Sequence, residues 1–220
     1  MVKILSVIMF IISLSASGCS QEQEETAVAQ EQSETMRTIV AVGDSLTAGY
    51  GVNESLSYPA VLEKKLQAAG YNYRVVNAGV SGETSSGALS RMEWILTLKP
   101  DIVLLVTGAN DGLRGVDPQL VEKNLREILQ LLKKRDVVVL LAGMKMVWNL
   151  GPMYVAQFNS IYPKLAEEFN AVYMPFFLES VAMKNTLNLG DGIHPNAQGY
   201  KIITENIYPY VVEAIKKSEG

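Results

Sequence analysis

Five residues, spread between positions 45 and 194, have the types that serine-based acyl chemistry requires. Ser45 sits in the stretch GDSLTAGYG from Gly43 to Gly51, directly after the apolar run Thr38 to Val42. His194 is the chain's single histidine, and Asp191 precedes it by three residues. Nucleophilic catalysis by serine needs a base for the hydroxyl proton, a group that orients the base, and donors for the developing oxyanion. His194 is the one candidate base for a Ser–His mechanism. A turn lets the Asp191 carboxylate meet Nδ1 of the ring and leaves Nε2 facing the serine. Pro195 fixes its own φ and stiffens that loop. Oxyanion donors are available from the Ser45 N–H at a strand-to-helix turn, the N–H of Gly82, which lacks a Cβ, and the Asn110 amide. Losing one such donor typically costs about 10²- to 10³-fold in rate.

Each residue taken singly has a plainer reading. Ser45 suits a helix cap, Gly82 a turn, and Asn110 beside Asp111 and Gly112 ordinary turn chemistry. A histidine before proline is commonly a surface side chain. The set carries the argument, because each member follows a strand or lies where a long loop reaches the same edge. Asp44 and Asp111 are alternative acids for the histidine. Asp44 also suits a carboxylate that fixes its own turn, and Asp111 a brace for the loop bearing Asn110.

The elements that must position these residues alternate. Short β-branched runs at Thr38–Val42, Tyr73–Val76, Ile102–Thr107, Val137–Ala142 and Ala171–Met174 predict strands. Helical patterns span Tyr58–Ala69, Ser85–Leu98, Pro118–Lys134, Met153–Phe169 and Ala197–Lys217, with Pro163 predicting a kink in the fourth. Ile102 to Val106 and Val137 to Leu141 are apolar without alternation, as in strands covered on both faces of a parallel sheet. The pattern predicts a three-layer α/β domain whose ligands bind beyond the carboxyl ends of the strands. Ser45, Gly82 and Asn110 each follow a strand in this scheme, and the Asp191–Asn196 loop reaches the same edge.

The start of the chain reads differently. Lys3, the apolar run Ile4 to Leu14 and the small residues Ala16-Ser17-Gly18 form an export signal over residues 1–18. As a helix the apolar run extends roughly 16 Å, short of a bilayer core of about 30 Å. Cys19, the single cysteine, ends a lipobox-like stretch, so lipidation there and a bacterial membrane anchor facing the periplasm or the cell exterior are expected. Residues 19–36 are polar and rich in Gln and Glu, a flexible acidic linker, and residues 37–220 form the folded domain, expected to be monomeric.

A net charge of −4 leaves no broad positive field for nucleic acid. Neither GxGxxG nor GxxxxGK(S/T) is present, one histidine and one cysteine make no usual zinc site, and Thr47 stands where GxSxG needs its second glycine. No metal or cofactor is expected.

Gly-Asp-Ser-Leu at 43–46, Gly82, Gly108-Ala109-Asn110-Asp111 and Asp191-Gly192-Ile193-His194-Pro195 together resemble the GDSL or SGNH hydrolase family, whose four name-giving residues map to Ser45, Gly82, Asn110 and His194. Residues 77–86, 108–115 and 161–169 are most similar to its bacterial periplasmic thioesterase, arylesterase and lysophospholipase group, apart from Ala109 in place of a second glycine. The resemblance spans about Arg37 to Tyr210 and implies a flavodoxin-like sheet of five parallel strands and a Ser-His-Asp triad with Asp191 as the acid. It implies hydrolysis of a small ester or lipid substrate, with carboxylic esters, lysophospholipids and acyl thioesters as candidates. A polysaccharide O-acetylesterase and a catalytically inactive lipid-anchored binding protein are the alternatives. Leu113, Arg114, Met146, Trp148 and Leu189 are expected to line the substrate groove, where each buried methylene contributes about 0.8 kcal/mol.

Overall fold

A computed structural model describes residues 36–146 and 150–220. Cys19 and Trp148 lie outside the described residues. Five parallel strands, β1 (Arg37–Gly43), β2 (Tyr73–Gly79), β3 (Ile102–Val106), β4 (Val138–Ala142) and β5 (Val172–Met174), form one sheet in the order β2-β1-β3-β4-β5. All residues of β3 and residues 39–42 of β1 are fully buried, because helices cover both faces. That double coverage is why their sequences are apolar without alternation.

Parallel neighbours require crossovers, and the crossovers are helical. The main helices are α2 (Tyr58–Ala68), α3 (Ser85–Ser90), α4 (Met92–Thr97), α6 (Pro118–Lys133), α7 (Pro152–Phe169) and α8 (Ala197–Glu219). Right-handed crossovers place α2, which runs toward the β2 edge, on one face and α3, α4, α6 and α7, which run the other way, on the opposite face. Contacts agree: α2 packs with α8, while α6 packs with α3, α4 and α7. The α7 helix continues through Pro163 to Phe169. Among the described residues, no helix is long and apolar enough to cross a membrane.

Three differences from the sequence reading bear on the site. The single helix expected over Ser85–Leu98 breaks at Arg91, which leaves the helical basin at φ −108°, ψ 7°. Strand β2 runs on through Asn77-Ala78-Gly79, in register with the end of β1. One-turn helices α1 (Ser45–Ala48) and α5 (Ala109–Leu113) follow β1 and β3 directly; at four or five residues they are too short to show a hydrophobic period.

The chain reverses direction between β1→β2 and the β3-β4-β5 half, so a crevice opens at the carboxyl ends of β1 and β3. The corner after β1 is tight. A Cβ on Gly43 would lie 2.2 Å from the Val106 carbonyl oxygen and 2.3 Å from Thr47 Oγ1, so only glycine lets α1 turn back this closely.

Candidate active site

The corner begins with Asp44, the N-cap of α1. Its carboxylate accepts the Leu46 N–H at 2.9 Å and the Asn110 amide at 3.3 Å, and the residue is fully buried. Burial pushes its carboxyl up to about 6, against the pull of the Leu46 N–H, the nearby His194 and the Asn110 amide. Ser45, next in the chain, is 8% exposed and opens the helix at the crevice.

His194 arrives from the far end of the chain. Its Nε2 lies 2.8 Å from Ser45 Oγ and its Nδ1 lies 2.7 Å from Asp191 Oδ2. The other Asp191 oxygen accepts the backbone N–H groups of Ile193 and His194 at 2.9 and 3.0 Å. The His194 N–H, then its ring, then the Ile193 N–H hold the Asp191 carboxyl down to about 2. The carboxylate is therefore ionised at neutral pH and fixes Nδ1–H toward itself, so neutral His194 presents an acceptor nitrogen to Ser45.

The loop is held from both sides. His194 O accepts the Leu189 N–H at 2.8 Å, Asn188 and Pro195 form a bridge, and the Asn196 side chain caps α8 by accepting the N–H groups of Gln198 and Gly199, both at 3.0 Å.

Of the three carboxylates considered for the histidine, Asp191 is the one at its ring. Asp44 fixes its own turn, and Asp111 accepts the Ser85 N–H and hydroxyl, both at 2.7 Å, at the start of α3. Asn124 joins this buried knot by donating to Ser85 Oγ at 2.9 Å and Ser86 Oγ at 2.8 Å. Asp111 thus ties the segment bearing Asn110 to the segment that follows Gly82.

The Ser45 and Gly82 N–H groups have no backbone acceptor among the described residues. Gly82 adopts φ +80°, a left-handed conformation that favours glycine. The Asn110 amide donates to the Glu83 carbonyl at 3.0 Å and weakly to Asp44, so it is oriented with one long hydrogen bond available for exchange. Together these groups can deprotonate a hydroxyl and stabilise an oxyanion beside it. No cluster of three or more His, Cys, Asp or Glu side chains fit to hold a metal occurs among the described residues.

Of the expected groove residues, Leu113, Arg114, Met146 and Leu189 are described, at different depths. Leu113 is 58% exposed on α5, and Arg114 donates to the Gly82 carbonyl at 2.9 Å. Met146 rests against Gly112, and Leu189 against Gly51. One contact was not foreseen from sequence: the exposed Tyr50 ring lies 4.6 Å from the His194 ring, centroid to centroid, tilted by 44°. Tyr50 stands in the same stretch as Ser45, but its spacing alone gives no sign of a partner at residue 194.

Residues 41–202 match the model of the GDSL-like Lipase/Acylhydrolase family. The chain is 37% identical to "Esterase TesA" of Pseudomonas aeruginosa over 198 residues, covering 90% of this chain and 96% of that one. It is 42% identical over 169 residues to "Thioesterase 1/protease 1/lysophospholipase L1" of Escherichia coli K12, covering 76% of this chain and 80% of the other. A solved psychrotrophic esterase, EstA from Pseudoalteromonas sp., inhibited by monoethylphosphonate, superposes with a TM-score of 0.78 at 32% identity, covering 82% of this chain and 99% of that one. The chain belongs to the GDSL-like lipase/acylhydrolase family.

The buried Asp44 carboxyl makes stability depend on pH. The unfolded carboxyl loses its proton near 3.8 and the folded one near 6, so its contribution is fully present below about 3.8 and lost as pH rises through about 6. Asp44→Asn removes this dependence. Between pH 4 and 7 the wild type should lose about 2 kcal/mol of unfolding free energy relative to the variant. Urea titrations across that range check it; a constant difference between the two proteins counts against the buried acid.

Proposed function

As a member of that family, we propose that the protein is a serine esterase that hydrolyses carboxylic esters through an acyl-enzyme. The observation that carries this reading is the unbroken relay from Ser45 Oγ to His194 and from His194 to Asp191, at 2.8 and 2.7 Å.

In the first half-reaction His194 Nε2 takes the hydroxyl proton as Ser45 Oγ bonds to the ester carbonyl carbon. Asp191 stabilises the imidazolium that forms. The carbonyl electron pair moves onto oxygen, where the N–H groups of Ser45 and Gly82 and the Asn110 amide receive it. The tetrahedral intermediate then expels the alkoxide or aryloxide, which takes the proton from His194, leaving Ser45 acylated. In the second half water replaces the serine hydroxyl: His194 takes its proton, and the same collapse frees the acid and returns the proton to Ser45.

The names of the relatives, esterase and thioesterase/lysophospholipase, support carboxylic esters, acyl thioesters and lysophospholipids as the substrate class. Exposed apolar side chains at the rim, Tyr50, Leu113 and Ile193 among them, suit an acyl or aryl group. The export signal over residues 1–18 and Cys19 support an exported protein held on a bacterial membrane by lipid, with residues 19–36 as the tether. The domain acts as a monomer in this reading, since nucleophile, base, acid and donors all come from one chain.

Ser45→Ala should abolish turnover of p-nitrophenyl butyrate and covalent labelling by a fluorophosphonate, both followed on the purified protein. Residual turnover within about tenfold of wild type sinks the assignment of Ser45. Across a p-nitrophenyl ester series, kcat/KM should rise from acetate to octanoate. A steep fall beyond butyrate favours an O-acetylesterase instead. Cys19→Ala should move the protein from the membrane pellet to the soluble fraction, and an unchanged distribution argues against the anchor.

A further inference from the structure

One buried ion pair joins two residues that, through side chain or backbone, contact every segment that carries an oxyanion donor. Arg91 Nε and Nη2 donate to the two Glu83 carboxylate oxygens at 2.6 and 2.7 Å, a bidentate fork. The Glu83 and Arg91 side chains are only 5% and 16% exposed. Glu83 directly follows Gly82, and its carbonyl accepts the Asn110 amide at 3.0 Å. Its own N–H closes a turn onto the Val80 carbonyl at 3.1 Å, so Gly82 lies inside that turn. Arg91 Nη2 also reaches the Gly43 carbonyl at 3.4 Å, two residues before Ser45, and the same carbonyl accepts the Val80 N–H at 2.9 Å.

The surroundings are shaped for this pair. Arg91 sits at the break between α3 and α4. A Cβ on Gly87 would fall 2.8 Å from Glu83 Cγ, so the glycine leaves room for the carboxylate stem. Arg91 Nη1 is buried with no partner among the described residues. A buried ion pair with an unsatisfied nitrogen is a poor way to add stability. Its position gives a better reason for it. Val80, Ser81 and Gly82 form an exposed turn, and Gly82 is held in a left-handed conformation. A donor on such a turn must be fixed in advance if it is to meet an oxyanion without reorganising.

We propose that the Glu83–Arg91 pair is the positioning element of the oxyanion site, aligning the Gly82 N–H and the Asn110 amide with the corner that bears Ser45. Neither side chain touches the substrate. The proposal rests on the esterase reading given above. Because the pair acts on donors used in the transition state, its loss lowers kcat and leaves KM nearly unchanged.

The test compares wild type with Arg91→Lys, which keeps the charge but not the fork, and Glu83→Gln, which keeps the shape but not the charge. Each is assayed on a phenyl ester and on the matching thionoester, whose sulfur is a poor hydrogen-bond acceptor and draws little from the donors. Folding is followed by Tm and by circular dichroism. For whichever variant remains folded, kcat on the ester should fall about 10²-fold with KM within about threefold, and the ester-to-thionoester rate ratio should fall at least about tenfold. A folded variant with wild-type kcat, or one with reduced kcat and an unchanged ratio, overturns the proposal while the esterase reading stands. A wild-type protein that turns over no ester overturns both.

Discussion

The parallel pairing at the ends of β1 governs the geometry of the rest. Gly43 is in register with Gly79 on one side and Val106 on the other, so three strand ends lie abreast. The segments that follow them carry Ser45, Gly82 and Asn110. The hydrogen-bonded ladder thus fixes to within a side chain's reach groups that are tens of residues apart in sequence. The fully buried strands below supply the rigidity, since a shift of one residue in this ladder would displace the serine from both of its neighbours.

Much of this was readable in advance, and for specific reasons. The long apolar runs of β3 and β4 have no polar alternation because helices flank both faces, which reveals a parallel sheet from sequence alone. With the sheet known, residues after the strands converge by topology. His194 needed no geometry, being the one histidine. The Asp191 contact follows from a three-residue spacing that a turn can close.

Other features left no periodic trace. Helices α1 and α5 are single turns, and the break at Arg91 interrupts a stretch whose pattern is otherwise helical. The Glu83–Arg91 fork and the Tyr50–His194 contact are set by tertiary approach, so no local spacing announces them. Asp44 is the most instructive of these. Adjacency makes it resemble a partner for Ser45, whereas the fold buries it beneath the corner as a cap and turns its second oxygen to Asn110.

Asp191 and His194 share one short segment, stitched between Asn188 and the first turn of α8, while Ser45, Gly82 and Asn110 lie in segments that follow strands of the sheet. His194 meets Ser45 through a side-chain hydrogen bond of 2.8 Å and Tyr50 through a ring contact at 4.6 Å. Loops and helix starts ordinarily open at lower free energy than central strands. Withdrawal of this loop would part His194 from Ser45 and leave the strand ladder untouched. By that reasoning warming would separate His194 from Ser45 before it melts the core, because loops and helix ends open at lower free energy than central strands.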